Sequence, residues 1–370
     1  MGDFEYIKKQ LDDAMYPEDV FGKSYDHKTF RSIAKIVHPD ANGGSLQAKK
    51  LFDDLNAFNK HAEELVKAGT YGHRRHRLPG REVVIINKNW IMNKPLVAGS
   101  IADLHLVHKV TGSTTKNHVL KVVRSYENND LLAAEARNIN RIREQLTGNW
   151  LDCIPEIKET ILLDEGAVQK RINVMTYFDN FLTVSNIRTR FVDAGQQVDG
   201  RSLGWMWRRM LKMCEAIHHC GIIHGAILPP HVMFYPDNDG NVSTKDPRKH
   251  AIRLVGWANS IDTRSRTKLS VVDKNWKFMY APEILAKEKL GPTTDMYMGA
   301  ATLLNLVYGT LNQRKMYNPS ISIPIQQSLL QCIEKDPKNR PQNPKKHFEA
   351  LDALLLKEFG PRAWHPFNIP

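Results

Sequence analysis

Two short stretches hold polar groups in positions where they can act. The first, IAKIVHPDANGG, runs from Ile33 to Gly44 and sets His38, Pro39 and Asp40 between two helical patterns. Proline lacks a backbone donor and disfavours helical backbone in the residue before it, so Pro39 ends the first helix. An imidazole and a carboxylate are left at the turn. Lys28, Arg31 and Lys35 recur at three- and four-residue spacing on that helix and make a positive stripe. The plain alternative is a helix stop and turn with no further role. The second stretch, IIHGAILPPHVMF, runs from Ile222 to Phe234. It follows a helical pattern and a Gly221 stop, with a short strand-like run and then a loop led by His224. The four cysteines, Cys153, Cys214, Cys220 and Cys332, form no CxxC pair, so neither a zinc site nor a disulfide framework is signalled. They read as reduced, buried thiols of a cytoplasmic protein.

The elements around these residues can be read from apolar spacing. Phe30, Ile33, Ala34 and Val37 recur at helical period and should face a core. A second helix starts near Ser45, a suitable N-cap, with Leu51, Leu55, Phe58 and Ala62 on one face. Together they make an antiparallel helical hairpin with polar groups at its tip. The stretch AGTYGHRRHRLPGR, residues 68–81, has no apolar period and reads as a basic, exposed linker. After it come β-type runs, EVVIIN, ADLHLVHKV, NHVLKVVR and AVQKRINVMTYF, and then long helical patterns from about residue 203. A β-rich block followed by a helical block implies an α+β arrangement in two lobes. Residues 235–250, YPDNDGNVSTKDPRKH, read as a surface loop or hairpin.

The chain has 370 residues, enough for two or three domains. It is 42% hydrophobic and 25% charged, a globular composition. No apolar run approaches the ~18 residues of a membrane helix. The acidic, amphipathic N-terminus is not a signal peptide. The net charge of +12 is uneven: residues 1–70 hold 10 Lys/Arg against 12 Asp/Glu, and the remainder carries the whole excess. Such an excess attracts nucleic acid or acidic proteins, or simply solvates a surface, and no recognition motif accompanies it.

The first stretch resembles a J domain. His38-Pro39-Asp40 stands where that family has its HPD tripeptide, after a basic amphipathic helix. AKKLFDDLNAFNKHAEEL resembles the family's third helix, with Phe52, Leu55 and Asn56 in matching places. The resemblance covers about residues 4–68. AMYPEDVFG departs from the family's usual Tyr-x-x-Leu-Gly pattern in the first helix. The resemblance implies docking to a DnaK-type chaperone and stimulation of its ATPase. Lys28, Arg31 and Lys35 would meet an acidic chaperone surface in a salt-sensitive encounter.

The larger part, about residues 88–356, resembles a protein kinase domain. The helix and loop ending in IIHGAILPPHVMF align with the family's catalytic loop at His224. Lys121 in HVLKVV matches the strand-three lysine, and Glu135 in AAEARNI its glutamate partner. YAPEIL carries the A-P-E segment, Asp295 matches the aspartate that braces the catalytic loop, and Arg340 matches the arginine that pairs with Glu283. The reactive positions depart. Ala226 stands for the catalytic base, Leu228 for the loop lysine and His231 for the metal-binding asparagine. Gly256-Trp257-Ala258 stands for D-F-G. Only Gly99 of three glycine-loop positions is kept. A shifted alignment puts Asp262 in the metal role but breaks the strand–turn pattern. Phosphoryl transfer needs a carboxylate to orient the hydroxyl and oxygen ligands to hold Mg²⁺. The resemblance therefore implies a pseudokinase without a metal site. Lys121, Glu135 and Gly99 would either bind ATP without metal or serve only the fold.

The expected protein is multidomain. A J domain, residues 1–70, is followed by a basic linker, 71–87, a two-lobed kinase-like domain, 88–356, and a tail, 357–370. Its function would be that of a co-chaperone presenting an unknown protein client to a DnaK-type chaperone. The alternatives are an atypical nucleotide-dependent transferase and a nucleic-acid-binding protein. No membrane role is expected.

Overall fold

The computed structural model describes residues 3–72, 78, 84–110, 116–166, 168–237, 251–264 and 271–370. These form two compact units, residues 1–93 with 108–113, and residues 94–107 with 114–370.

The first unit is built on helices α1 (Asp3–Asp13), α2 (Pro17–Phe21), α3 (His27–Val37) and α4 (Leu46–Lys67). Asp26 caps α3 by accepting from the Lys28 N–H at 2.9 Å, and Ser45 caps α4 by accepting from the Ala48 N–H at 3.2 Å. Ile33, Val37, Leu51, Leu55, Phe58 and Ala62 are buried together with Leu11 and Phe21. The expected hairpin faces are therefore the core faces. The N-terminal part of the expected linker is packed against this unit. The Tyr71 hydroxyl donates to Gly22 O at 2.9 Å, the Gly72 N–H donates to Glu18 Oε1 at 2.9 Å, and Leu78 is buried. Its arginines from Arg74 to Arg81 lie outside the described residues. The unit also holds the ribbon formed by β1 (Val84–Ile86) and the start of β2 (Trp90–Ala98).

The second unit contains β3 (Ala102–Lys109), β4 (His118–Val123), helix α5 (Asn129–Gln145), β5 (Ile157–Glu165) and β6 (Val168–Thr176). Within this unit β3 pairs with β4, β4 with β6 and β6 with β5, all antiparallel. Strand β5 is absent from the sequence-based strand list, because IKETILLDE lacks clean alternation. It pairs with β6 along nearly its whole length.

Next come β7 (Leu182–Thr183), α6 (Val184–Asp193), α7 (Gly200–His219), β8 (Ile222–Ile223), β9 (Val232–Phe234), β10 (Ile252–Leu254) and β11 (Ile261–Asp262). Helices α8 (Pro282–Leu285), α9 (Pro292–Tyr308), α10 (Ile323–Leu330) and α11 (Pro344–Phe359) complete the unit. Helices α7 and α9 pack around Trp207, Met210, Leu303 and Leu304, all fully buried. A Cβ on Gly204 of α7 would come within 2.6 Å of the Leu355 side chain of α11, so this glycine sets how closely the two helices approach. Most of the insertion expected between the two loop motifs, residues 238–250, lies outside the described residues. All four cysteines are free and buried. No helix among the described residues is long and apolar enough to cross a membrane.

Candidate functional site

Lys121 faces α5 from β4, and its Nζ lies 2.7 Å from Glu135 Oε1. The pair is buried, at 7% and 1% exposure. Asn173 of β6, opposite Lys121 in the register, donates to Glu135 Oε2 at 3.1 Å and to Leu132 O at 2.9 Å. Sequence reasoning missed Asn173. Its signal was a lone amide inside the apolar run INVMTYF. Both carboxylate oxygens are thus occupied, and the geometry is that of a strong internal clamp. Lys121→Ala is expected to destabilise the chain by about 3–5 kcal/mol, because it strands a buried carboxylate. A Lys121→Met/Glu135→Gln double variant should recover most of that loss in a denaturant midpoint, since no unpaired charge remains.

Gly99 lies in the tight connection between β2 and β3, where its N–H donates to Ala102 O at 3.1 Å. A Cβ there would sit 2.4 Å from the same oxygen, so the turn requires glycine whether or not a nucleotide binds.

The loop after β8 is held from below by Asp295 at the start of α9. Its carboxylate accepts from the backbone N–H of His224 at 2.8 Å and of Gly225 at 2.9 Å, and the His218 Nε2 lies 2.9 Å from it. His224 is fully buried, donates from Nε2 to Val255 O at 3.0 Å and accepts from the Ala226 N–H at 3.2 Å. Trp257 closes over it edge-on, with ring centroids 4.5 Å apart. Thr302 on α9 donates to Ile227 O at 2.8 Å. Ala226 and Leu228 are fully buried hydrocarbon. His231 Nδ1 donates to Ala226 O at 2.8 Å. Its ring stands against Gly256, whose φ is +79°; a Cβ on Gly256 would come within 2.5 Å of that ring. The four positions Ala226, Leu228, His231 and Gly256 thus supply no side-chain oxygen. The ring of one fills the space beside another.

Burial pushes the His224 imidazole down to about 3, with the Asp295 charge acting in the opposite sense. Loss of water likewise lowers His231 and His347. The folded form resists protons that the unfolded chain takes up near pH 6.5, so the stabilisation is complete above that pH. It is lost as pH falls toward about 3. Chemical denaturation between pH 6.5 and 4 should show a contribution from His224 that falls by up to about 1.4 kcal/mol per pH unit, and His224→Asn should flatten that slope.

Glu283 and Arg340 form a bidentate buried pair at 2.6 and 2.9 Å. Thr294 adds a hydrogen bond to Glu283 at 2.9 Å, and the guanidinium lies 4.7 Å from the centre of the Tyr297 ring. Burial alone would raise the Glu283 carboxyl, but Arg340 and these hydrogen bonds hold it below its usual range. Asp262, the residue of the shifted alignment, is engaged by Arg141 at 2.5 Å and by Arg264 at 3.2 Å.

The first unit carries a separate polar tip. His38 Nδ1 accepts from the Asp40 N–H at 3.2 Å, and its ring stands edge-on to Phe52 at 4.9 Å. The Asn42 amide donates to Ile36 O at 2.8 Å and His38 O at 2.9 Å, and Gly43 and Gly44 take positive φ. The turn is therefore tied down while the Asp40 side chain is 92% exposed. Lys28, Arg31 and Lys35 are all exposed on α3.

No family model matches the chain, and no curated protein does. Solved structures do. The BubR1 kinase domain is 13% identical, with a TM-score of 0.56 over 82% of this chain and 92% of that one. The kinase domain of PF14_0431 is 14% identical, with a TM-score of 0.53 over 72% of this chain and 95% of that one. Identities this low establish the fold alone. The chain contains a protein-kinase-like α+β fold.

Proposed function

We propose that the chain is a J-domain-type co-chaperone whose kinase-like unit binds a client or assembly partner and does not transfer phosphate. The observation that carries the first half is the tip of the helical hairpin. His38, Pro39 and Asp40 sit in a fixed turn with the Asp40 carboxylate in solvent, at the end of a helix that exposes three cations. The second half is supported by the absence of any side-chain oxygen at Ala226, Leu228, His231 and Gly256. ATP hydrolysis then belongs to the chaperone, and this chain would accelerate it. Steady-state turnover of a DnaK-type ATPase with and without the full chain tests the reading. A several-fold rise is expected, and no change at saturating chain overturns it.

A second reading has its own support. The kinase-like fold and the Lys121–Glu135 pair at 2.7 Å fit a nucleotide-dependent transferase with unusual metal use. Label transfer from γ-labelled ATP in Mg²⁺ or Mn²⁺, abolished by Lys121→Ala, would establish it in place of the binding role.

A further inference from the structure

Beyond Phe359 the chain turns at Gly360, whose φ is +78°, and runs back over α7. Phe367 is buried, stacked on Phe191 at 6.2 Å and edge-on to Trp205 at 5.7 Å. Its backbone makes a two-way bond with Asp237: the Phe367 N–H donates to Asp237 Oδ2 at 2.6 Å, and the Asp237 N–H donates to Phe367 O at 2.8 Å. Ile369 is buried as well. The segment expected as a tail thus contributes Phe367 and Ile369 to the core.

Under this returning segment lies a cavity of about 190 Å³ that shares no lining residue with the loop of His224. Its floor is apolar, from Trp205, Leu355 and Phe359. Its walls carry three guanidiniums, those of Arg201, Arg208 and Arg362, against one carboxylate, Asp352. Asp352 is divided between two of them: Oδ1 lies 3.1 Å from Arg208 Nε, and Oδ2 contacts Arg362 Nη2. The Arg208 Nε is buried, and its contact with Asp352 is off the line of a hydrogen bond. Arg201 lies over the Phe359 ring at 5.2 Å, with no carboxylate partner among the described residues. The remaining titratable group, His365, is engaged by Asp199 at 3.3 Å. Burial holds the Arg208 guanidinium below its usual value, with Asp352 opposing that and Arg362 and Arg209 adding repulsion.

An excess of clustered guanidinium over an apolar floor is complementary to one chemical class. Guanidinium forks bind carboxylates in a planar, two-pronged way. A dry cavity of about 150 Å³ is large enough for benzene. We propose that this cavity binds a small monocarboxylate with a compact apolar body, of aromatic or branched-chain size. The apolar part packs on Trp205 and Leu355, and the carboxylate meets Arg201 and Arg362 at the mouth. Because Pro361, Arg362 and Ala363 line the cavity, a ligand here also stabilises the docked state of the returning segment, by mass action.

The test uses the full chain with benzoate as probe and benzamide, its neutral isostere, as control. Saturation-transfer NMR and thermal melting read binding. Benzoate should bind saturably and raise the melting temperature, and benzamide should bind at least tenfold more weakly. Arg201→Gln/Arg362→Gln should weaken benzoate by tenfold or more, and both positions are exposed, so the fold should survive. Ala363→Trp, which fills the mouth from an exposed position, should block it. Equal affinity for benzoate and benzamide, or unchanged benzoate binding in either variant, overturns the proposal. These outcomes are independent of chaperone stimulation and of phosphate transfer.

Discussion

His38→Gln is expected to abolish acceleration of a DnaK-type ATPase by the full chain while leaving its thermal unfolding unchanged within about 1 °C. The stability half of this expectation follows from the surroundings of the residue. His38 is partly exposed, its ring edge rests on Phe52, and its single backbone bond to the Asp40 N–H can be reproduced by the amide oxygen of glutamine. Surface substitutions of this kind change stability by only about 0.5 kcal/mol. The functional half follows from the proposal that the imidazole is an interface group. Asp40→Asn should behave alike, because it removes a charge that is 92% exposed. Reversal at Arg31 should weaken stimulation more at low salt than at high, since exposed charges are screened over roughly 10 Å at about 0.1 M. Full stimulation by His38→Gln and Asp40→Asn would remove the co-chaperone reading, and an unchanged salt profile in the Arg31 variant would move the docking face away from α3.

Gly256→Asp, a single change that would place a carboxylate after β10, is expected to be among the most destabilising substitutions in the chain. Two terms add. A non-glycine residue at φ +79° carries strain of about 1–3 kcal/mol. The new Cβ would also meet the His231 ring at 2.5 Å, an overpacking worth about 1–3 kcal/mol. Removing the ring should relieve the second term only. His231→Ala/Gly256→Asp should therefore lose less than the sum of the two single changes, with a coupling of about 1–3 kcal/mol in a double-mutant cycle. Additive midpoints would show that the ring yields freely and does not occupy the position. No single or double variant in this set should gain label transfer from γ-labelled ATP. On the proposed reading Ala226 would still offer no acceptor for a substrate hydroxyl, and positioning and charge neutralisation act together.

The parts of the site that were legible in the sequence are those fixed by short spacing. Lys121 and Glu135 were found through the resemblance to a kinase domain, and a strand and the helix after it bring the two together. The loop at His224 was found because helix, glycine stop and strand follow one another without interruption. Asn173 was not found, since its role exists only when β6 lies beside β4. The filling of Gly256 by His231 was not found either: 25 residues separate them, and only the pairing of β9 with β10 makes them neighbours. Tyr71, Gly72 and Leu78 read as linker because anchoring by one hydroxyl, one N–H and one leucine leaves no periodic trace. The apolar spacing of α3 and α4, by contrast, gave both core faces.

The docking of Phe367 and Ile369 also has a competitive consequence. The segment is a peptide ligand already attached to its own groove, so it acts at an effective concentration on the order of millimolar. A free peptide with the sequence His365 to Pro370 and a micromolar dissociation constant would need roughly that concentration to displace it, and any partner presenting a similar Phe-x-Ile pattern meets a site that is occupied in cis. Substitution of Phe367 and Ile369 by serine would vacate the groove, and the same peptide would then bind at its intrinsic affinity.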